Sequence, residues 1–201
     1  MNYRLYRNFY DIIHPSISRK NISNYEIILD EEIVPAIIFY PGRDVIIKNI
    51  IIYIPGKIEN YDVYKNLAME TDNLILVIKY NESNKFEDCY NFIKYIYDNI
   101  KNVEMTNSNI TLMSDNNGGD LETKILDEAI SKNSFDIKKM VLIAPCRKVD
   151  CSKNMLVITG VDSKFDSNEY KKIQSYIEGF IKGDNLAACE HVYSLVKKFI
   201  N

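Results

Sequence analysis

Several residue types that mark specialised protein classes are scarce in this sequence. Its 201 residues include no tryptophan, two histidines, four cysteines, five prolines and seven glycines. So few prolines and glycines exclude a collagen-like or low-complexity chain. The cysteines form no Cys-x-x-Cys pair and no ligand cluster has metal-site spacing, so we expect reduced thiols and no bound metal. No glycine-rich phosphate-binding motif is present, which predicts that the protein uses no nucleotide cofactor.

Long hydrophobic runs and a strong charge imbalance are also missing. The net charge is −3, whereas nucleic-acid binders usually carry a basic surface, so we expect no nucleic-acid partner. The longest apolar run, Ile50–Pro55, is too short to cross a bilayer, and charged residues interrupt Met1–Ile17, unlike in a signal peptide. We therefore expect a cytoplasmic protein without a membrane span, folded as one domain over residues 1–201. The sequence indicates no oligomeric state.

Strand and helix patterns alternate along most of the chain. Five apolar runs are typical of strands buried on both faces of a parallel sheet. These runs are Asn49–Ile54, Leu74–Lys79, Asn109–Met113, Lys139–Ala144 and Asn154–Thr159. Apolar residues at three- and four-residue spacing predict helices within Phe86–Ile100, Leu121–Ala129, Tyr170–Phe180 and Leu186–Ile200. Together these patterns predict a doubly wound, mostly parallel α/β sheet with right-handed crossovers.

An antiparallel hairpin is predicted before this parallel core. Tyr25–Leu29 and Val34–Tyr40 are rich in β-branched and aromatic residues, and they flank the acidic turn Asp30–Glu32. Antiparallel strands commonly accompany large, otherwise parallel sheets. We therefore expect this hairpin at the edge of the sheet.

Glycine and polar residues concentrate where predicted strands end. Four of the seven glycines follow three of the strands, in Pro55-Gly56-Lys57, in Gly118-Gly119 and at Gly160. In open α/β sheets, ligands bind at the carboxyl ends of the strands. Glycine there permits a tight strand-to-helix turn or a close backbone approach. These three turns are the predicted location of a functional site.

The segment Ser114–Leu121 resembles the nucleophile elbow of α/β hydrolases, and more narrowly the G-D-S-A-G-G-N-L segment of hormone-sensitive-lipase-like esterases. Asp115, Gly118, Gly119 and Leu121 are identical to that pattern. Further matches lie in the family's order at Val77–Tyr80, Met140–Pro145, Gly160, Asp162 and His191–Tyr193. The resemblance implies an α/β-hydrolase fold. Because few residues precede the hairpin, we expect no substantial cap domain.

The resemblance also implies roles for individual residues. In such esterases a serine attacks the carbonyl, a histidine takes its proton, and an acid orients the histidine. Here Asp162 corresponds to the acid and His191 to the base, but Asn116 occupies the nucleophile position. An amide has no acidic proton to give up and is a poor nucleophile. Loss of a triad serine costs on the order of 10⁶ in kcat.

The loop that forms the oxyanion hole in this family is altered as well. The family's H-G-G-G corresponds to Pro55-Gly56-Lys57-Ile58, which keeps one glycine. The bulk of Lys57 and Ile58 restricts how backbone N–H groups approach a substrate. Gly56, Lys57 and the backbone N–H of Asn117 are therefore the candidate oxyanion and pocket groups.

Three functional readings remain open at the level of the sequence. The first is a degenerate esterase/lipase-like protein that binds a small acyl or ester-like ligand without hydrolysing it. The second is an active carboxylic-ester hydrolase in which His191, oriented by Asp162, activates a water molecule. The third is a non-catalytic binding or interaction module, in which His191 lies on a helix surface and Asp162 caps a helix or is solvated in a loop.

Overall fold

The computed structural model describes residues 4–6, 22–29, 32–42, 45–56, 61–103, 105–106, 109–115, 117–137, 139–143, 145, 154–158 and 190–201. Eight strands form one sheet with the order β1-β2-β3-β5-β4-β6-β7-β8. They are β1 (Arg4–Tyr6), β2 (Ile22–Leu29), β3 (Glu32–Phe39), β4 (Ile50–Ile54), β5 (Leu74–Ile78), β6 (Ile110–Asp115), β7 (Lys139–Ile143) and β8 (Asn154–Ile158). The five predicted core strands are confirmed, with ends that differ by one or two residues.

The sheet is parallel from β5 to β8. In the centre, Ile52 of β4 is in register with Leu76 of β5 on one side and with Leu112 of β6 on the other. Strand β3 is antiparallel to both β2 and β5, so the predicted hairpin is confirmed. Its placement at the sheet edge is wrong, because β1 pairs in parallel with β2 and forms the edge instead. Strand β1 has three residues, which is too short to show a pattern of alternating polarity, so the sequence did not predict it.

Four helices occur in the described part of the chain. They are α1 (Tyr61–Thr71), α2 (Lys85–Asn99), α3 (Asn117–Ser131) and α4 (Glu190–Ile200), and a 3₁₀ turn, Ile100–Val103, follows α2. The helix patterns within Phe86–Ile100 and Leu121–Ala129 are confirmed, as is the one within Leu186–Ile200 from Glu190 onward, since residues 186–189 lie outside the described residues. The pattern within Tyr170–Phe180 lies outside the described residues. Helix α1 was not predicted, because its buried side chains, Tyr64, Leu67 and Ala68, form only a short apolar stripe.

The helices cover both faces of the sheet, which confirms the doubly wound arrangement. Alternate residues of β4 point to opposite faces. Ile50 and Ile52 pack with α2 and α3 in one apolar cluster, whereas Ile51 and Tyr53 pack with α1 and α4 in a second cluster. All five residues of β4 are buried. The continuous apolar pattern of the central strands follows from this burial on both faces.

Two further expectations concern a cap before the hairpin and a membrane-spanning helix. Of the residues before β2, the structure describes Arg4–Tyr6 alone, so the expected lack of a cap lies outside the described residues. None of the described helices is both long enough and apolar enough to span a membrane.

Candidate active site

The turn between β6 and α3 is one residue long. Strand β6 ends at Asp115 and helix α3 begins at Asn117, so Asn116 alone connects them. Asn116 itself and the side chain of Asn117 lie outside the described residues. Ser114 is fully buried within β6, which separates it from the turn, as its position two residues before Asn116 predicts. The chain therefore passes from a buried parallel strand into a helix over a single residue, which is the connection expected of a nucleophile elbow.

Two glycines allow the first turn of α3 to pack closely against neighbouring strand ends. A Cβ atom on Gly118 would lie 2.3 Å from the carbonyl oxygen of Ile54 and 3.2 Å from the nitrogen of Gly56. A Cβ atom on Gly119 would lie 3.3 Å from the Cβ of Pro145. Any side chain at position 118 would collide with backbone atoms, which cannot move out of the way as a flexible side chain could. The glycine pair thus brings α3 against the carboxyl ends of β4 and β7.

Asp115 joins the elbow to the loop after β4. Its Oδ2 atom accepts a hydrogen bond from the Tyr53 hydroxyl at 2.5 Å, and its Oδ1 atom accepts one from the backbone N–H of Gly56 at 2.5 Å. Asp115 and Tyr53 are both buried. Burial, the neighbouring Tyr64 and the Asp115 carboxylate raise the pKa of Tyr53, so this phenol remains a hydrogen-bond donor.

This contact defines what Gly56 can contribute to the site. Its backbone N–H is directed to the Asp115 carboxylate and is therefore not available to stabilise an oxyanion. Oxyanion donors must come from later residues of the loop or from the start of α3, where Lys57 and Asn117 are the sequence candidates. Lys57 lies outside the described residues, and only the backbone of Asn117 is described. Gly56 belongs to the site as part of its framework.

Tyr80 contacts the same loop from the opposite side. It follows β5, and its hydroxyl donates a hydrogen bond of 2.5 Å to the carbonyl oxygen of Pro55. Burial, together with the nearby Cys89, Glu82 and Asp115, raises the pKa of Tyr80 to about 12. The sequence analysis did not select Tyr53 or Tyr80 as site residues. Tyr80 lies within Val77–Tyr80, one of the segments that resemble the esterase family. This resemblance was the one sequence signal that could have identified Tyr80 as a site residue.

Helix α4 carries His191 near its amino-terminal end. The carbonyl oxygen of Ile200, at the other end of α4, accepts a hydrogen bond of 3.4 Å from Nδ2 of Asn49, which directly precedes β4. Eleven helical residues span about 16 Å, and the five residues of β4 span a similar length. Val192, Val196 and Ile200 all pack on the same face of the sheet, so α4 runs along the sheet and its amino-terminal end lies toward the carboxyl ends of the strands, as a catalytic histidine requires.

The remaining parts of the predicted triad are not described. The side chain of His191 and the whole of Asp162 lie outside the described residues, so their predicted pairing stays a prediction. The structure places the elbow, the loop after β4 and the start of α4 at one end of the sheet. Among the described residues, no group of three or more histidine, cysteine, aspartate or glutamate side chains could hold a metal ion.

Comparisons with known proteins agree with this architecture. A family model described as an alpha/beta hydrolase fold matches residues 56–194, a span that includes positions 116, 162 and 191. No curated protein matches the chain.

Solved structures, two esterases among them, share the fold. An esterase from Pyrobaculum calidifontis superposes with a TM-score of 0.70 at 15% identity, covering 95% of this chain and 87% of that one. Carboxyl esterase 2 from Tuber melanosporum superposes with a TM-score of 0.66 at 13% identity, covering 92% and 88%. The Francisella virulence factor BioJ gives 0.68 at 14% identity, covering 92% and 86%. At such low identity the similarity shows the fold and not the activity.

Proposed function

Because this chain belongs to the alpha/beta hydrolase fold family, we propose that it is an esterase-like protein that has lost its nucleophile and binds a small acyl or ester-like compound. One observation carries the proposal: a single residue links β6 to α3, and that residue is Asn116. The turn where an esterase holds its serine thus carries a carboxamide, which cannot form the acyl-enzyme.

The surrounding framework supports binding rather than loss of the whole site. Gly118 still packs against the backbone of Ile54 and Gly56, although a larger residue would be tolerated if the turn had lost its shape. The Asp115 carboxylate still holds the loop after β4 through Gly56. Backbone groups that are already held in position, as those of Gly56 and Gly118 are, bind a ligand with a smaller loss of conformational entropy. The buried Asp115 carboxylate disfavours an anionic ligand at this place.

A second candidate function is hydrolysis by a water molecule that His191 activates with the help of Asp162. The position of His191 near the amino-terminal end of α4, toward the carboxyl ends of the strands, favours this candidate. In this mechanism the Asn116 amide would donate a hydrogen bond to the developing oxyanion. It differs from the first proposal in one measurable respect, since the native protein would then hydrolyse esters.

Ester hydrolysis by designed variants separates these functions. We would assay p-nitrophenyl acetate and butyrate with the native protein, with Asn116→Ser, and with Asn116→Ser combined with His191→Ala. The expected result is no turnover by the native protein and a His191-dependent gain of at least about 100-fold in Asn116→Ser, a part of the roughly 10⁶-fold effect of a triad serine. Asn84→Ser, at an exposed position before α2, is the matched control and should gain nothing.

Each other outcome has a definite meaning. His191-dependent turnover by the native protein would reject the loss of hydrolysis and establish the water mechanism. If Asn116→Ser is inactive, the triad is not preserved, and a binding or interaction module becomes the better account.

A second experiment tests whether the native protein binds an ester-like ligand. The native protein is titrated with p-nitrobutyranilide, an amide analogue of the ester, and binding is followed by NMR. The proposal requires that the backbone amide chemical shifts of Gly56 and Gly118 change when the ligand is added.

A further inference from the structure

We propose that Tyr80 is a positioning residue that, together with Asp115, locks one peptide unit at the base of the ligand site. The two atoms that they hold belong to the same peptide group. Tyr80 donates its hydroxyl hydrogen to the carbonyl oxygen of Pro55 at 2.5 Å. Asp115 accepts the N–H of Gly56 at 2.5 Å. The C=O and the N–H of the Pro55–Gly56 peptide are therefore both occupied, and we call this arrangement the peptide clamp.

The two arms of the clamp come from opposite sides of β4. Tyr80 follows β5 and Asp115 ends β6, and these are the two strands that pair with β4. In a trans peptide the C=O and N–H point in opposite directions within one plane. Rotation of this peptide plane would break both hydrogen bonds at once, so each arm opposes the same motion. Gly118 packs against the same peptide, since a Cβ atom at this position would lie 3.2 Å from the Gly56 nitrogen.

Each arm of the clamp is itself held in place. Asp115 is buried and also accepts a hydrogen bond from Tyr53, which orients the carboxylate. The Tyr80 side chain is half-buried and packs against the apolar cluster under α2 and α3. A hydrogen bond between groups that are already oriented fixes geometry at little further cost in side-chain entropy.

The clamp matters for ligands because of its position in the chain. The Pro55–Gly56 peptide is the first of the loop that corresponds to the family's oxyanion loop, so fixing its plane fixes the direction in which the chain enters that loop. Preorganised backbone donors act mainly on the charge that develops in a transition state. The proposed role of Tyr80 is thus to keep later donors of this loop aimed at a ligand carbonyl. This role depends on the proposed function, whereas the clamp itself does not.

Amide hydrogen exchange tests the clamp without any assumption about activity. The exchange rate of the Gly56 amide would be measured by NMR in the native protein and in Tyr80→Phe, which removes only the hydroxyl group. We expect exchange at Gly56 to become about fivefold faster, as befits the loss of one hydrogen bond. Tyr90→Phe is the matched control, because it removes a similarly half-buried hydroxyl whose partner is Ser134, which follows the end of α3 that lies away from the elbow. Equal exchange at Gly56 in all three proteins would overturn the clamp.

Kinetics in the Asn116→Ser background test the positioning role. Adding Tyr80→Phe should lower kcat about tenfold and leave KM within about twofold, since the misdirected donors act in the transition state. Adding Tyr90→Phe should change neither constant. Equal kcat values for the two additions would reject the positioning role. If Asn116→Ser is inactive, the proposed function fails, and the exchange rates alone then decide for or against the clamp.

Discussion

Gly118 is the residue that shows most clearly how the elbow constrains the sequence. Its missing side chain leaves room for the carbonyl oxygen of Ile54, which a Cβ atom would approach to 2.3 Å. Real Cβ contacts are never this short, and the atoms that this Cβ would approach, the carbonyl of Ile54 and the nitrogen of Gly56, belong to the backbone. The first turn of α3 would have to move away from β4, and the contacts around Gly56 would change with it.

The first prediction at this scale is that Gly118→Ala is strongly destabilising. We expect a loss of about 3 kcal/mol in the free energy of unfolding, from overpacking and backbone displacement. Urea unfolding followed by circular dichroism measures the loss. Gly42→Ala is the control. The Cβ atom that it adds would lie 3.4 Å from the Cγ2 atom of Val45, which is an ordinary van der Waals contact. A loss below about 1 kcal/mol for Gly118→Ala would contradict the packing described here.

Sequence reasoning identified part of the site at the residue scale. The elbow was recognisable because Asp115, Gly118 and Gly119 match the family's pattern directly after an apolar strand. In the structure Asp115 bonds to Gly56, and the two glycines pack against neighbouring strand ends. The bonds from Tyr53 and Tyr80 were not predictable. They join residues 62 and 25 positions apart, and a tyrosine with an anchored hydroxyl has the same sequence pattern as one that only fills the core.

At the scale of single elements, helix α3 illustrates how burial decides the worth of a side chain. Ile125 is fully buried in the cluster between the helices and the sheet, whereas Ile130, five residues later on the same helix, is 57% exposed. A residue at i+5 lies about 140° around the helix axis, so one isoleucine faces the sheet and the other faces solvent. Both belong to the helix that begins at the elbow.

The prediction for this element compares two identical substitutions. Ile125→Ala should lower the free energy of unfolding by about 3 kcal/mol, because it removes buried methyl groups and leaves a cavity. Ile130→Ala should change it by less than about 0.5 kcal/mol. The two values come from parallel urea titrations. Similar losses for both variants would mean that α3 packs in a different orientation from the one seen here.

The strength of each element's sequence signal follows from its environment. Strands β4 to β8 were predicted because burial on both faces leaves an uninterrupted apolar run. Helix α1 was missed because it has few buried side chains, and its position depends partly on contacts with α4, where Tyr193 and Lys197 both bond to Glu70. Contacts between residues more than 120 positions apart leave no local pattern.

At the scale of the whole molecule, the protein has the alpha/beta hydrolase fold, and the proposed function assigns to it a reaction centre altered at Asn116. The family model matches residues 56–194, and esterase structures of low sequence identity share the fold. Fold and chemistry are separable, because the sheet depends on apolar burial spread over many residues, whereas covalent catalysis depends on one side chain. The apolar pattern predicted a doubly wound α/β sheet, and the motif resemblance implied the α/β-hydrolase fold. Asn116 and the altered loop Pro55–Ile58 together set the expectation for activity.

Covalent labelling with a fluorophosphonate tests the central claim most directly, because the reagent reacts preferentially with a serine that a working triad activates. Native protein and Asn116→Ser would be treated side by side and analysed by intact-mass and peptide mass spectrometry. The account predicts no adduct on the native protein and one adduct on Asn116→Ser, located at position 116 and lost when His191→Ala is added. An adduct on the native protein would contradict the account, because it would show that another residue of this chain serves as the nucleophile.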